Sequence, residues 1–69
     1  MPNYRSLATV TLQNRKAAYL AVAEFFQHLD ALGVNFSSMS YNEATQRIDV
    51  VTFNAIPVGQ LAHLGIEAV

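Results

Sequence analysis

The run Gly33-Val34-Asn35-Phe36-Ser37-Ser38-Met39-Ser40-Tyr41 decides how this chain folds. It follows directly on an amphipathic segment that begins at Lys16 and ends at Leu32. Glycine adopts the left-handed backbone that closes a helix, so Gly33 reads as a helix stop. A β-prone stretch begins at once. Val34 and Phe36 alternate with polar neighbours, and Met39 and Tyr41 alternate too, but one residue out of phase. A slip of one residue within a strand is what a β-bulge produces. The stretch therefore predicts a helix feeding a bulged strand over residues 34–41.

Upstream, residues 6–13 set Ala8, Val10 and Leu12 between Thr9 and Thr11, the pattern of a half-buried strand. Asn14 is suited to cap the helix that follows, over residues 15–32. At 100° per residue, Ala18, Val22, Phe25 and Leu29 fall on one line, flanked by Ala21, Phe26 and Leu32. Glu24, Gln27, His28 and Ala31 take the opposite side. Tyr19, Leu20 and Ala23 lie between the two, next to Phe26. This second apolar stripe reads either as a subunit contact or as a wide buried face. Arg15 and Lys16 occupy the first turn, where positive charge opposes the helix dipole. They are either ligand-facing or simply solvated.

Downstream, residues 42–46 are polar and suit a hairpin loop. Residues 47–54 form a third strand, with Ile48 and Val50 pointing one way and Val51 and Phe53 the other. Apolar residues on both faces suggest a central strand covered on both sides. Pro57 can open a short helix that carries Val58, Leu61 and Leu64 and stops at Gly65. Residues 66–69 complete the order β-α-β-β-α-β. Two split β-α-β units give a ferredoxin-like α+β sandwich, one domain over residues 1–69. Its four-stranded antiparallel sheet takes the order 4-1-3-2, with both helices on one face. The other face is expected to hold Thr9, Thr11, Met39, Tyr41, Val51 and Phe53, an apolar surface in want of a cover.

Composition sets further bounds. A chain of 69 residues buries only ~60% of its unfolded surface. It has no cysteine, so disulfides and thiolate metal sites are excluded as staples. It is 52% hydrophobic and 13% charged, which is apolar for so small a domain and implies surface shared with another copy or a partner. The net charge is −1 and the basic residues are Arg5, Arg15, Lys16 and Arg47. They are too few and too dispersed for a nucleic-acid footprint or an anionic membrane. No apolar run approaches the ~20 residues of a bilayer span. Residues 1–6 lack the apolar core of a signal peptide, so a cytoplasmic location is expected.

The reactive side chains are scattered. Glu24 and His28 are four apart and could share a metal, but a third ligand is missing nearby. His63 has no carboxylate in local reach. The acids never cluster. Asp49 interrupts an apolar strand, and it either faces solvent or, if buried, needs Arg5, Arg15 or Arg47 as partner. Ser37, Ser38 and Ser40 have no local histidine or glycine elbow to activate them. Phe53 and Tyr41 could imitate the stacking residues of an RNA-binding sheet, but the strand holding Asp49 lacks the basic, aromatic signature. Arg15 and Lys16 beside helical N–H groups could hold one carboxylate or phosphate. No enzyme activity, metal or cofactor is expected.

The segment from Leu32 to Ser40 resembles the helix end and second strand of the ACT domain, whose run is of the type Leu-Gly-Val-Asn-Ile-x-x-Ile-x-Ser. Asn14-Arg15-Lys16-Ala17-Ala18-Tyr19 sits where that family often has Asp-Arg-Pro-Gly-x-Leu, with Lys16 and Ala17 in place of Pro and Gly. The resemblance spans nearly the whole chain. It implies a regulatory module that binds an amino acid or other small anion between paired copies. It implies further that Asn14, Arg15, Lys16 and Ala17 face the ligand, with Asn35 and Ser37 opposite. The expectation is thus a non-enzymatic homo-oligomer, a dimer first. The alternative is a protein–protein interaction module without a small ligand. It would present a strand edge or the stripe of Tyr19, Leu20, Ala23 and Phe26. Met39, Tyr41, Val51 and Phe53 complete the expected interface.

Overall fold

A computed structural model describes residues 1–11 and 14–69. The sheet is organised by its shortest inner strand, β1 (Asn3–Ser6), in which Tyr4 and Ser6 are buried while Arg5 points away. Around it stand α1 (Arg15–Ala31), β2 (Phe36–Asn42), β3 (Arg47–Thr52), α2 (Val58–Leu64) and β4 (Ile66–Ala68). The strands lie in the order β2-β3-β1-β4 and every neighbouring pair is antiparallel. This is the α+β, ferredoxin-like arrangement the sequence predicts.

The core forms where the helices meet the sheet. Tyr4, Ile48, Val50 and Ile66 come from the strands, Leu29 from α1 and Leu64 from α2. Leu29 and Val50 are completely shielded from solvent, and burying each such side chain is worth ~1.5–3 kcal/mol. The expected helix line holds: Leu29 is buried, and Ala21, Val22 and Phe25 pack partly against the core. The helix signals hold as well. The Asn14 carboxamide oxygen accepts from the Ala17 backbone N–H at 2.9 Å. Gly33 and Gly65 follow the two helices with φ of 80° and 76°, the left-handed region in which other residues are strained.

The bulge lies where the phase change predicts it. Phe36 stands opposite Thr52 and Ser38 opposite Val51, so Ser37 is the extra residue. Its consequence differs from the expectation. The extra residue brings Phe36, Met39 and Tyr41 onto one face, the same face as Thr52, Val50 and Ile48. Met39 and Tyr41 therefore pack beneath α1 and not on the helix-free side. The Tyr41 hydroxyl donates to the Val10 carbonyl at 2.7 Å, tying β2 to the segment before α1.

The first strand is also displaced. It was expected over residues 6–13, but pairing ends at Ser6 and residues 7–11 run without regular structure. Leu12 and Gln13, the expected strand's end, lie outside the described residues. Two side chains account for the shift. The Tyr4 ring fills the core, and its hydroxyl accepts from the Ile56 N–H at 2.8 Å. Ser6 Oγ accepts from the Ile48 N–H at 3.0 Å and donates to the Ala8 carbonyl at 2.9 Å, which turns the chain out of the sheet. The alternation of Ala8 and Val10 with threonines thus belongs to a connection in which Thr9 and Thr11 are exposed.

The helix-free face is polar, against the expectation of an apolar one. Of the six residues assigned to it, Val51 alone lies there. Thr9 and Thr11 precede α1, and Phe53 lies past the end of β3, 58% exposed. The register instead lines this face with Arg5, Asp49, Ser40 and Glu67 in one row, and with Asn42 and Arg47 in the next. Arg5 Nε donates to Glu67 Oε1 at 2.7 Å, and Arg47 donates to the same oxygen. These two guanidinium groups, Arg5 foremost, hold the Glu67 carboxyl below its ordinary value. Asp49 is half-buried and accepts from Asn42 Nδ2 at 3.2 Å. It thus faces away from the core on the uncovered side of the sheet, the first of its two readings, and the condition under which it would need an arginine does not arise.

Candidate functional site: the groove between α1 and the edge strand

β2 forms one edge of the sheet, and α1 crosses the helix side of that edge. The C-terminal half of α1 is pressed down by Leu29 and by Phe26, whose ring meets Phe36 edge-on with centroids 4.8 Å apart. The N-terminal half has smaller inward residues, Ala18 and Val22, and leaves space above β2. The result is an open groove of about 750 Å³. Val22, Phe26, Met39 and Tyr41 make its apolar lining, and Tyr19 and Ala23 form its outer lip. Arg15 from the start of α1 and Glu43 from the turn after β2 flank it at one end. Among the described residues Arg15 and Glu43 do not form an ion pair with each other.

The turn that carries Glu43 is set by Asn42. Its carboxamide oxygen accepts from the N–H groups of Ala44 and Thr45, at 2.9 and 3.3 Å. Side chains of this type hold a turn by bonding the backbone two residues on. The position of Glu43 at the mouth of the groove is therefore a local consequence of the hairpin.

The structure separates the residues that the resemblance groups together. Asn14 is engaged as the α1 cap. Arg15 borders the groove, Lys16 is exposed and Ala17 is half-buried. Asn35 and Ser37 lie at the far end of α1, around a second, smaller depression of about 320 Å³ that also includes Asp30 and Phe26. Ser37 Oγ donates weakly to the Val51 carbonyl at 3.3 Å, as suits a bulge residue. A helix of 17 residues is ~25 Å long. Within one copy, then, Asn35 and Ser37 do not face the Asn14–Ala17 turn.

The lateral stripe is open to solvent, with Tyr19 76%, Leu20 57% and Phe26 47% exposed. Sequence reasoning placed it correctly beside the core face but missed Glu43, Ala18 and Val22 as groove residues. The signal available was that Asn42 fixes a tight turn at the end of β2. His28 stacks on Phe25, with ring centroids 6.0 Å apart. Among the described residues no group of three potential metal ligands comes together, and no helix is long and apolar enough to cross a membrane.

The fold and groove define a small α+β module with an open, mostly apolar site beside a free strand edge. Comparison with protein-family models, with curated proteins and with solved structures finds no match to this chain.

Proposed function

We propose that this chain is a non-enzymatic regulatory module, ACT-like in plan, that works as an oligomer and binds an amino acid with an apolar side chain in the α1–β2 groove. The observation that carries this reading is the pairing of an apolar lining with one guanidinium and one carboxylate at the same end. An amino acid has the matching parts. Its carboxylate suits Arg15, its ammonium suits Glu43, and its side chain would lie over Val22, Met39 and Tyr41. Sites that take small ligands are typically apolar with a few placed polar groups.

A thermal-shift series tests the reading. Ligand at ten times its dissociation constant stabilises the native state by ~1.4 kcal/mol, which raises Tm by roughly 6–11 °C in a domain of this size. Leucine or phenylalanine should produce this shift and glycine should not. Arg15→Ala and Glu43→Ala should each remove it. Absence of any shift with amino acids or small anions up to ~10 mM would sink the proposal.

A second reading, a protein–protein interaction module, has its own support in the free edge of β2. A partner strand could add to that edge through main-chain hydrogen bonds while its side chains enter the groove. In that case the amides of residues 36–42 would respond to an extended peptide and not to free amino acids.

A further inference from the structure

We propose that the depression between the end of α1 and the β3–α2 connection is a second ligand site. It takes a neutral planar heterocycle with a hydrogen-bond donor beside an acceptor, the edge that a nucleobase such as adenine presents. The inference goes beyond the amino-acid reading above, since this depression and the α1–β2 groove have no lining residue in common.

The carboxamides of Asn14 and Asn42 are engaged with the backbone, one capping α1 and the other fixing the turn after β2. Those of Asn35, Asn54 and Gln60 make no hydrogen bond among the described residues, and all three residues line this one depression. Each such group offers one acceptor oxygen and two N–H donors. No ionisable side chain lines the depression, and the rest of its surface is apolar, chiefly Val34, Ile56, Pro57 and Leu64. Such a lining offers nothing to a charge. It suits a ring whose edge carries a donor beside an acceptor, the pattern by which Asn and Gln read adenine at N6 and N7. The flat apolar face of the same ring covers the hydrophobic wall.

The segments that form the walls are each tied to a buried residue. The Val34 N–H donates to the carbonyl of the fully buried Leu29 at 3.1 Å. The hydroxyl of the buried Thr52 donates to the Asn54 carbonyl at 2.7 Å. The Ile56 N–H donates to the Tyr4 hydroxyl at 2.8 Å. Gln60 is placed by the first turn of α2, where its N–H donates to the Pro57 carbonyl at 2.9 Å. The backbone that carries the three carboxamides is thus set before a ligand arrives, which lowers the ordering cost of binding.

Size narrows the ligand further. The cavity measures about 220 Å³. A void of ~150 Å³ holds benzene, and drug-sized ligands fill ~300–1,000 Å³. The space therefore admits one ring or a small fused pair and leaves anything larger outside. The phosphate of a nucleotide would lie beyond the lining and find no cation there. With about ten non-hydrogen atoms, a free base should bind with a dissociation constant on the order of 1 mM.

Titration of the isotope-labelled full chain with adenine up to ~5 mM, followed by amide NMR spectra, provides the test. The side-chain NH₂ signals of Asn35, Asn54 and Gln60 should move and saturate together with the backbone amides of Gly33, Val34 and Ala55. Unsubstituted purine keeps the ring and lacks the exocyclic donor, so it should bind ~2- to 13-fold more weakly. Asn54→Ala and Gln60→Ala should each weaken adenine by a similar factor. Both positions are exposed and neither has a positive φ, so the far-UV spectrum should be unchanged. Adenosine monophosphate should gain nothing over adenine. Leucine at ~10 mM should leave the adenine-shifted signals in place, so failure of the groove reading and failure of this one are told apart by which signals move. The proposal is overturned if the three carboxamide signals stay still, or if movement is confined to Tyr19 and other groove residues. Purine binding as tightly as adenine, both variants matching wild type, or a gain in affinity from the phosphate would overturn it as well.

Discussion

Replacing Tyr4 by Phe should destabilise the domain measurably, although Tyr4 does not line the α1–β2 groove. The ring is 6% exposed and stays in the core after the change. What is lost is the hydroxyl that accepts from the Ile56 N–H at 2.8 Å. That amide belongs to the half-buried residue preceding Pro57, and the variant gives it no replacement acceptor. A buried donor left unpaired costs ~1–3 kcal/mol. Partial access of water to Ile56 places the expected loss toward the lower end, at ~1–2 kcal/mol. For a domain of this size that lowers Tm by roughly 4–16 °C. The whole stability of such a chain is only ~3–10 kcal/mol, so Tyr4→Ala, at ~3–5 kcal/mol, would leave much of it unfolded. Phe is therefore the informative substitution. Urea unfolding followed by circular dichroism measures it, with the slope held unchanged as the sign that the unfolded state is not altered. The control is the double variant Thr9→Ala with Thr11→Ala. Both residues are exposed, outside any strand, and the pair should stay within ~0.5 kcal/mol of wild type. If Tyr4→Phe is silent while the threonine pair costs more than ~1 kcal/mol, the first strand runs over residues 6–13 after all and the register at Tyr4 is wrong.

Acid should act through Glu67. Arg5 first and Arg47 second lower its folded pKa beneath the ordinary 4.5. The stability it contributes is therefore complete above that ordinary value and is lost as pH falls through the lower folded one. The stability gap between wild type and Glu67→Gln should be constant near neutral pH and shrink on acidification below ~4.5; a gap independent of pH down to about 2 would show that the two guanidinium groups do not act on this carboxyl in solution. Two glycines should respond with opposite signs. Gly65 has φ of 76° and open space around it, so Gly65→Ala costs ~1–2 kcal/mol from backbone strain alone. Gly59 sits inside α2 with ordinary φ and nothing within 4 Å of an added methyl, so Gly59→Ala should stabilise by ~0.4–1 kcal/mol. Equal effects at the two sites, read as unfolding midpoints, would contradict the cap assigned to Gly65.

Element order was readable because each boundary carries a local device. Asn14 caps, Gly33 and Gly65 stop, and Pro57 precedes the first turn of α2. These act within a few residues and need no tertiary information. The faces of the sheet were less readable. The phase change between Phe36 and Met39 was visible, but whether it moves Met39 to the opposite side or keeps it with Phe36 depends on the pairing partner. Val51 opposite Ser38 settles that. The first strand was misplaced for a related reason. Residues 8–12 alternate well, whereas Asn3-Tyr4-Arg5-Ser6 offers one apolar residue. What makes it a central strand is Tyr4 serving as core filler and as acceptor for Ile56, 52 residues away. No local pattern encodes a contact at that distance. Of the site, Arg15 was legible from its place in the first turn of the helix and the stripe from helical periodicity, while Glu43 depends on a hairpin closing beside α1.

The apolar excess of this composition was expected beneath the sheet, and its actual place changes how a second chain can bind. The helix-free face is satisfied by its own charges: Glu67 engages both Arg5 and Arg47, and Asp49 takes a hydrogen bond from Asn42. Covering it would strip water from two guanidinium groups and two carboxylates, and desolvating ion pairs costs more than such contacts return unless new partners are supplied. The flank of α1 has no such barrier. Tyr19, Leu20 and Phe26 are exposed there, beside a strand edge that pairs with β3 on one side only. A contact beneath the sheet is thus disfavoured by electrostatics, and any contact at the α1 flank would gain from hydrophobic burial. The same asymmetry explains why the groove lies where it does. Large residues at the end of α1 fill the space between it and the sheet, while the small Ala18 and Val22 at its start leave the space above β2 unfilled, and the opening so created faces the exposed flank of the helix.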